Sequence, residues 1–161
     1  MPLRRELVLI AVLLCAACGA NRSAPPAEVP GETGPQVVLP DGAAILVEVV
    51  ADPETRALGL MHRPSLRSDR GMVFLFPATD VHSFWMKDTL IPLDMIWIDE
   101  GRRVVDVKAN VPPCKADPCP SYTPAGVALY VLELAAGQAA AHRVAPGAQI
   151  ELRNIGQYIV R

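Results

Sequence analysis

Apolar residues along this chain fall into short runs with the two-residue period of strands, separated by proline, glycine and acidic turns. Ala44-Ile45-Leu46-Val47-Glu48-Val49-Val50 is the first such run. Asp52-Pro53-Glu54 follows, an N-cap with proline at the first helical position, and predicts a short helix through Thr55 to Leu58 that stops near Gly59. Met72 to Phe76 is apolar throughout, which predicts a central strand, and His82 to Met86 predicts another beyond Pro77 and its polar neighbours. Leu93–Asp99 and Arg102–Lys108 flank Glu100-Gly101 and predict an antiparallel hairpin in which Gly101 supplies the positive φ of a tight turn. Ala128–Leu134 predicts a further strand, Gly137–His142 an alanine-rich helix ended by Pro146-Gly147, Ala148–Leu152 a half-buried strand, and Tyr158-Ile159-Val160 a last edge. Many short strands with two short helices predict a mainly β fold, a compact antiparallel β-barrel or sandwich. Helix–strand alternation is too sparse for a doubly wound sheet.

The N-terminal stretch follows different rules. Arg4 and Arg5 precede an apolar run from Leu7 to Cys18, too short to cross a hydrocarbon core of roughly 30 Å but of the size of a signal-peptide core. Leu14-Cys15-Ala16-Ala17-Cys18-Gly19 resembles the bacterial lipobox, which implies removal of residues 1–17 and lipidation of Cys18, with ordinary cleavage near Ala17 or Ala20 as the alternative. Gly19, standing where inner-membrane lipoproteins carry Asp, resembles an outer-membrane sorting signal. The expected partners are therefore a lipid bilayer, through the N-terminal anchor at the periplasmic face of the outer membrane, and a small polar ligand or envelope component; conventional cleavage would instead leave the protein soluble in the periplasm. Residues 18–42 are rich in proline and glycine and read as a tether, leaving 43–161 as a single β-rich domain.

Loss of Arg4, Arg5 and Glu6 moves the formal charge from −2 to −3. That mild acidity, without any Lys/Arg cluster among aromatics, argues against nucleic acid. Export also changes the meaning of the cysteines. Cys15-x-x-Cys18 loses a member with the signal, whereas Cys114 and Cys119 lie in a proline-rich loop of the exported domain and are expected to form a disulfide. Their x4 spacing does not resemble a thioredoxin-type centre.

Candidate chemistry centres on Phe84-Trp85-Met86-Lys87-Asp88-Thr89 and Ile91-Pro92-Leu93-Asp94-Met95. A turn at Pro92 would bring Lys87, Asp88 and Asp94 together, a set suited to a polar ligand or to proton transfer, or to a salt-bridged structural turn. Arg63 and Asp69 bracket a polar loop that would form another wall, and Trp85 or Trp97 would supply a stacking face. Met61, Met72, Met86 and Met95 with His62 and His82 are the residue types of a soft-metal site, yet they follow no short spacing and equally fill a core. His62, His82 and His142 lack zinc spacing. Ser83, Ser121 and Thr123 lie in no nucleophile elbow. Nothing in the sequence calls for a cofactor.

Gly59-Leu60-Met61-His62-Arg63, Gly71-Met72-Val73-Phe74-Leu75-Phe76-Pro77, the two motifs around Lys87 and Pro92, and Leu132-Glu133-Leu134-Ala135-Ala136-Gly137 resemble, in this order, the motifs of the family catalogued as domain of unknown function 192. Asp88 stands where that pattern more often carries Asn. The resemblance implies a compact β-rich fold, often exported or lipid-anchored, and no established reaction. The expectation is a small-ligand binding or accessory module of the cell envelope with Arg63, Trp85, Lys87, Asp88 and Asp94 at its groove. The alternatives are an enzyme acting on envelope carbohydrate or peptide through Asp88 and Asp94, and a purely structural or interaction domain.

Overall fold

A computed structural model describes residues 34–158. The expected lipidation site Cys18, the signal and most of the tether lie outside the described residues, as do Ile159 and Val160. Among the described residues no helix is long and apolar enough to cross a membrane.

The chain forms β1 (Gln36–Val38), β2 (Ala44–Val50), α1 (Pro53–Leu58), β3 (Arg70–Asp80), β4 (Phe84–Trp85), β5 (Leu93–Ile98), β6 (Val104–Val111), β7 (Ser121–Tyr122), β8 (Ala128–Ala135), α2 (Gln138–Ala141) and β9 (Glu151–Arg153), closing on a 3-10 turn at Gly156–Tyr158. Seven strands make one sheet in the order β6-β5-β8-β3-β2-β1-β9, while β4 and β7 pair separately. The fold is mainly β, as expected, with two short helices. One pair departs from the antiparallel expectation: β2 and β3 run parallel, because α1 and its loop carry the chain across between them.

The sheet curls into a half-barrel whose ends meet. Arg103 bridges Gln149, Val104 N–H donates to Ala148 O at 2.9 Å, and Ile150 N–H donates to Arg102 O at 2.9 Å. Inside the curl lie Val37, Val47, Val73, Leu75, Ile96, Ile98, Leu132 and Leu134. Their alternate neighbours Met72, Phe74, Met95, Trp97 and Val131 face the other way, into a second apolar cluster with Met86 and Leu60. β3, β8 and β5 are thus buried on both faces, which is why they read as nearly continuous apolar runs. The outer face is roofed by α1, the turn after it, β4 and the loops around the Cys114–Cys119 disulfide, which is formed across a Cα separation of 5.6 Å.

Several local expectations need correction. β1 lies within the stretch read as tether: Val37 is wholly buried and β1 pairs with both β2 and β9, so the sheet begins before residue 43. β3 runs through Pro77, because β2 pairs only as far as Phe74 and β8 is out of register between Leu75 and Asp80, so no ladder there needs a proline N–H. The His82–Met86 run shortens to Phe84–Trp85, and Tyr158 sits in the 3-10 turn instead of an edge strand. In the β5–β6 hairpin Arg102, at φ 62°, takes the left-handed position assigned to Gly101. Five residues, 99–103, join the strands; Asp99 N–H donates to Arg103 O at 2.9 Å, and the Asp99 carboxylate fixes the turn by accepting from Arg103 N–H at 2.8 Å.

Asp94 ties the barrel's end together. Wholly buried, it accepts from Asn110 N–H through Oδ1 and from Ala139 N–H through Oδ2, both at 2.7 Å. The second bond caps α2, whose own Gly137 has no side chain to do so. Asp94→Ala orphans two backbone donors and is expected to cost about 3–5 kcal/mol, read as a lower urea midpoint at unchanged m-value. Asp94→Asn, retaining one acceptor, should fall between the two.

Candidate functional site

The roof over the outer face is pinned by a few directional contacts. Phe84 meets Phe74 edge-on at 4.9 Å between centroids and Trp97 at 5.9 Å, and the Trp97 indole N–H donates to His82 O at 2.7 Å. Gly59 ends α1 at φ 48°, where a Cβ would stand 3.3 Å from Phe74 Cζ. His62 N–H donates to Asp88 O at 2.8 Å, and Cys114 N–H to Met86 O at 3.4 Å, joining the turn after α1 and the disulfide loop to the Met86–Thr89 turn. His62 and Asp88 both adopt positive φ, 61° and 52°. These residue types tolerate the left-handed region better than most.

Beneath this roof lies Glu133. It stands on β8 opposite Met72 of β3 and Met95 of β5, on the outer face, and is 4 % exposed. No described residue donates a hydrogen bond to its carboxyl, which opens onto a cavity of about 40 Å³ lined by Arg56 and Ala57 of α1 and by Met61, Phe84, Trp85 and Thr89. Burial pushes the Glu133 carboxyl up to about 8, so it is mainly neutral at pH 7. Between α1 and β4 an adjoining cleft of about 310 Å³ shares Phe74, Phe84 and Trp85 and adds Pro53, Phe76 and Ser83. Trp85 is half-exposed at its mouth. Arg56 flanks both spaces, its guanidinium donating to the carbonyls of Ala51 and Leu75 and lying 5.1 Å from the Phe76 ring.

The residues expected from sequence do not share one groove. Only Trp85 lines this cleft. Lys87 Nζ lies 5.5 Å from the Trp85 ring, but Lys87 and Asp88 line a separate hollow of about 170 Å³ beside the disulfide. Arg63 is paired with Glu48 in a third groove of about 540 Å³ on the β2–β3 side, where its hydrogen bonds hold the Glu48 carboxyl below its usual range. Asp94 is wholly buried and gives its two oxygens to the backbone N–H groups of Asn110 and Ala139, on a different element from the hollow that Asp88 lines. The metal candidates also separate. Met61 lines the Glu133 cavity, Met72, Met86 and Met95 are buried among apolar side chains, His62 is exposed, His82 stacks on Phe76 at 3.6 Å and His142 pairs with Asp41. No three His, Cys, Asp or Glu side chains converge among the described residues. Sequence reading passed over Glu133 as a strand residue. The signal available was one acid inside a run, Val131-Leu132-Glu133-Leu134, apolar at every other position.

A β half-barrel with a loop-roofed lateral cleft and a single buried acid at its floor is the class that fold and site define. The chain belongs to the DUF192 family of uncharacterized ACR proteins, whose model matches residues 36–152. Two solved structures are similar: a protein of unknown function from Novosphingobium aromaticivorans DSM 12444, 34% identical over 80% of this chain and 94% of that one, TM-score 0.66; and a putative transcription regulator from Sinorhizobium meliloti 1021, 31% identical over 76% of this chain and 98% of that one, TM-score 0.63. No curated protein gives a significant match.

Glu133 sets a pH dependence whose sign is determined. Its folded value of about 8 lies above the ordinary 4.5, so between these the folded state holds the extra proton and stability falls as pH rises. Relative to Glu133→Gln, wild type should lose about 1.4 kcal/mol per pH unit across that window. Urea midpoints of both proteins from pH 4 to 9 measure this, and a constant difference would remove the buried-acid assignment.

Proposed function

We propose that this protein is an envelope-located binding module that takes a small ligand in the cleft over Glu133, with an apolar portion against Trp85 and Phe84 and a polar head on the carboxyl. The observation that carries this reading is the unpartnered acid. A buried carboxyl without a donor costs stability, and an apolar side chain at position 133 would continue the cluster of Met72 and Met95 without that cost. An acid that opens into an apolar cleft without a protein donor is the pattern of a ligand contact. Glycoside chemistry would need a second carboxylate facing the same space, and Asp88 and Asp94 do not supply one.

Thermal-shift measurements on the full-length protein in detergent, with a panel of sugars, peptides, nucleotides, amines and metal ions, test the site. A ligand raises the melting temperature of wild type by mass action, and the increment should shrink in Glu133→Gln and in Trp85→Ala. Equal increments in all three proteins would place binding elsewhere.

The envelope location rests on the Arg4-Arg5 and Leu7–Cys18 pattern, with Cys18 as the lipidated residue, and it is supported by the Cys114–Cys119 disulfide, a bond that persists in oxidising compartments. Cys18→Ala is expected to lose globomycin-sensitive processing and detergent-phase partitioning. Unchanged processing and membrane retention would rule the anchor out.

A further inference from the structure

We propose that the head group bound at Glu133 is a primary ammonium, the rest of the ligand being a short alkyl or aryl body held between α1 and Trp85; this rests on the binding function assigned to the cleft. Size comes first. The inner cavity of about 40 Å³ admits a group little larger than one water, and the outer cleft of about 310 Å³ takes a ring or short chain behind it.

The polar inventory of the floor then selects among small heads. Glu133 presents two oxygens that no described residue engages. Thr89 donates its hydroxyl proton to Lys87 O at 3.3 Å, which leaves Oγ1 as an acceptor. Arg56 also lines the cavity, but its Nη1 is turned to the carbonyls of Ala51 and Leu75 and it makes no hydrogen bond to Glu133, and the flanking Met72 and Met95 bring no donor. At the carboxyl itself the floor offers acceptors, Glu133 and Thr89, which complement a head that donates and does not accept, and –NH3⁺ is the group of that kind small enough for the inner cavity, a guanidinium being too large. Charge points the same way. A cation entering beside Glu133 makes the carboxylate favourable where burial alone disfavours it, so ammonium binding should expel the carboxyl proton. Phe84 and Trp85 line the cavity, and the Lys87 ammonium 5.5 Å from the Trp85 ring shows that this ring accommodates a cation.

Calorimetric titration of the full-length protein at pH 7 with methylammonium, butylamine and phenethylamine, against phenethyl alcohol, tests this. Repeating it in phosphate and in imidazole counts protons from the dependence of the heat on buffer. The expected result is binding of at least one amine, an alcohol affinity lower by about tenfold or more, release of about one proton per amine, and a loss of about tenfold or more in Glu133→Gln. The proton count on wild type decides the matter even if the variant fails to fold. Alcohol and amine binding alike, both weakened in Trp85→Ala, would overturn the ammonium assignment while leaving the cleft a binding site. Amine binding without proton release, or unchanged by Glu133→Gln, would overturn it too. So would failure of all three amines at millimolar concentration, and if silver(I) in chloride-free buffer then binds and is lost in Met61→Leu, the cleft is a soft-metal site instead. If no probe in either experiment depends on Glu133 or Trp85, the binding function falls with the inference.

Discussion

Because β8 lies between β3 and β5 with its side chains covered on both faces, neither face of the central sheet can be left to solvent, and the remaining chain is disposed to prevent it. One side is closed by the sheet's own curl, which brings β1, β2 and β9 across the interior and hydrogen-bonds residues 147–150 to the start of β6. The other side is too irregular to be closed by strands. There the chain spends α1, β4, β7 and the disulfide loop as a roof, and a roof assembled from loops leaves spaces that a second sheet would not.

The two buried acids show how position alone separates structural from chemical roles. Asp94 faces inward at the barrel's end, where two backbone amides reach it, and is consumed by them. Glu133, one strand away and on the opposite face, stands between Met72 and Met95 and opens onto a cavity where no described residue hydrogen-bonds its carboxyl. The first converts its charge into geometry by holding α2. The second keeps an unspent hydrogen-bonding capacity, and the binding function proposed here is an account of where that capacity goes.

Much of the fold was legible because burial on one or both faces leaves a period in the sequence. β2, β3, β5 and β8, the 52–58 helix with its Asp52 cap, and the 93–108 hairpin all carry that period or a local turn signal. β1 did not, since three residues bounded by Pro35 and Pro40 are too few to show alternation. The site was less legible for a different reason. Asp94 satisfies donors 16 and 45 residues away, and only tertiary structure reveals those partners. Glu133 carries no turn, spacing or charged neighbour to mark it. Lys87 and Asp88 drew attention because they cluster in sequence. Asp88 is explained by its left-handed backbone, a conformation that Asp and Asn tolerate better than most residues.

The short strand β1 has a mechanical consequence. It enters the sheet as the first element described, flanked on both sides by antiparallel neighbours over the same three residues, Gln36↔Leu46 and Gln36↔Arg153 through Val38↔Ala44 and Val38↔Glu151. A pull on Gln36 along that strand's axis loads the hydrogen bonds on its two edges together in shear, so that they cannot open one after another as in a peeled hairpin. Val37, wholly buried beneath them, must leave the core in the same step. The domain therefore meets a pull from its N-terminal side with its whole strand engagement at once, a stiff junction made from three residues.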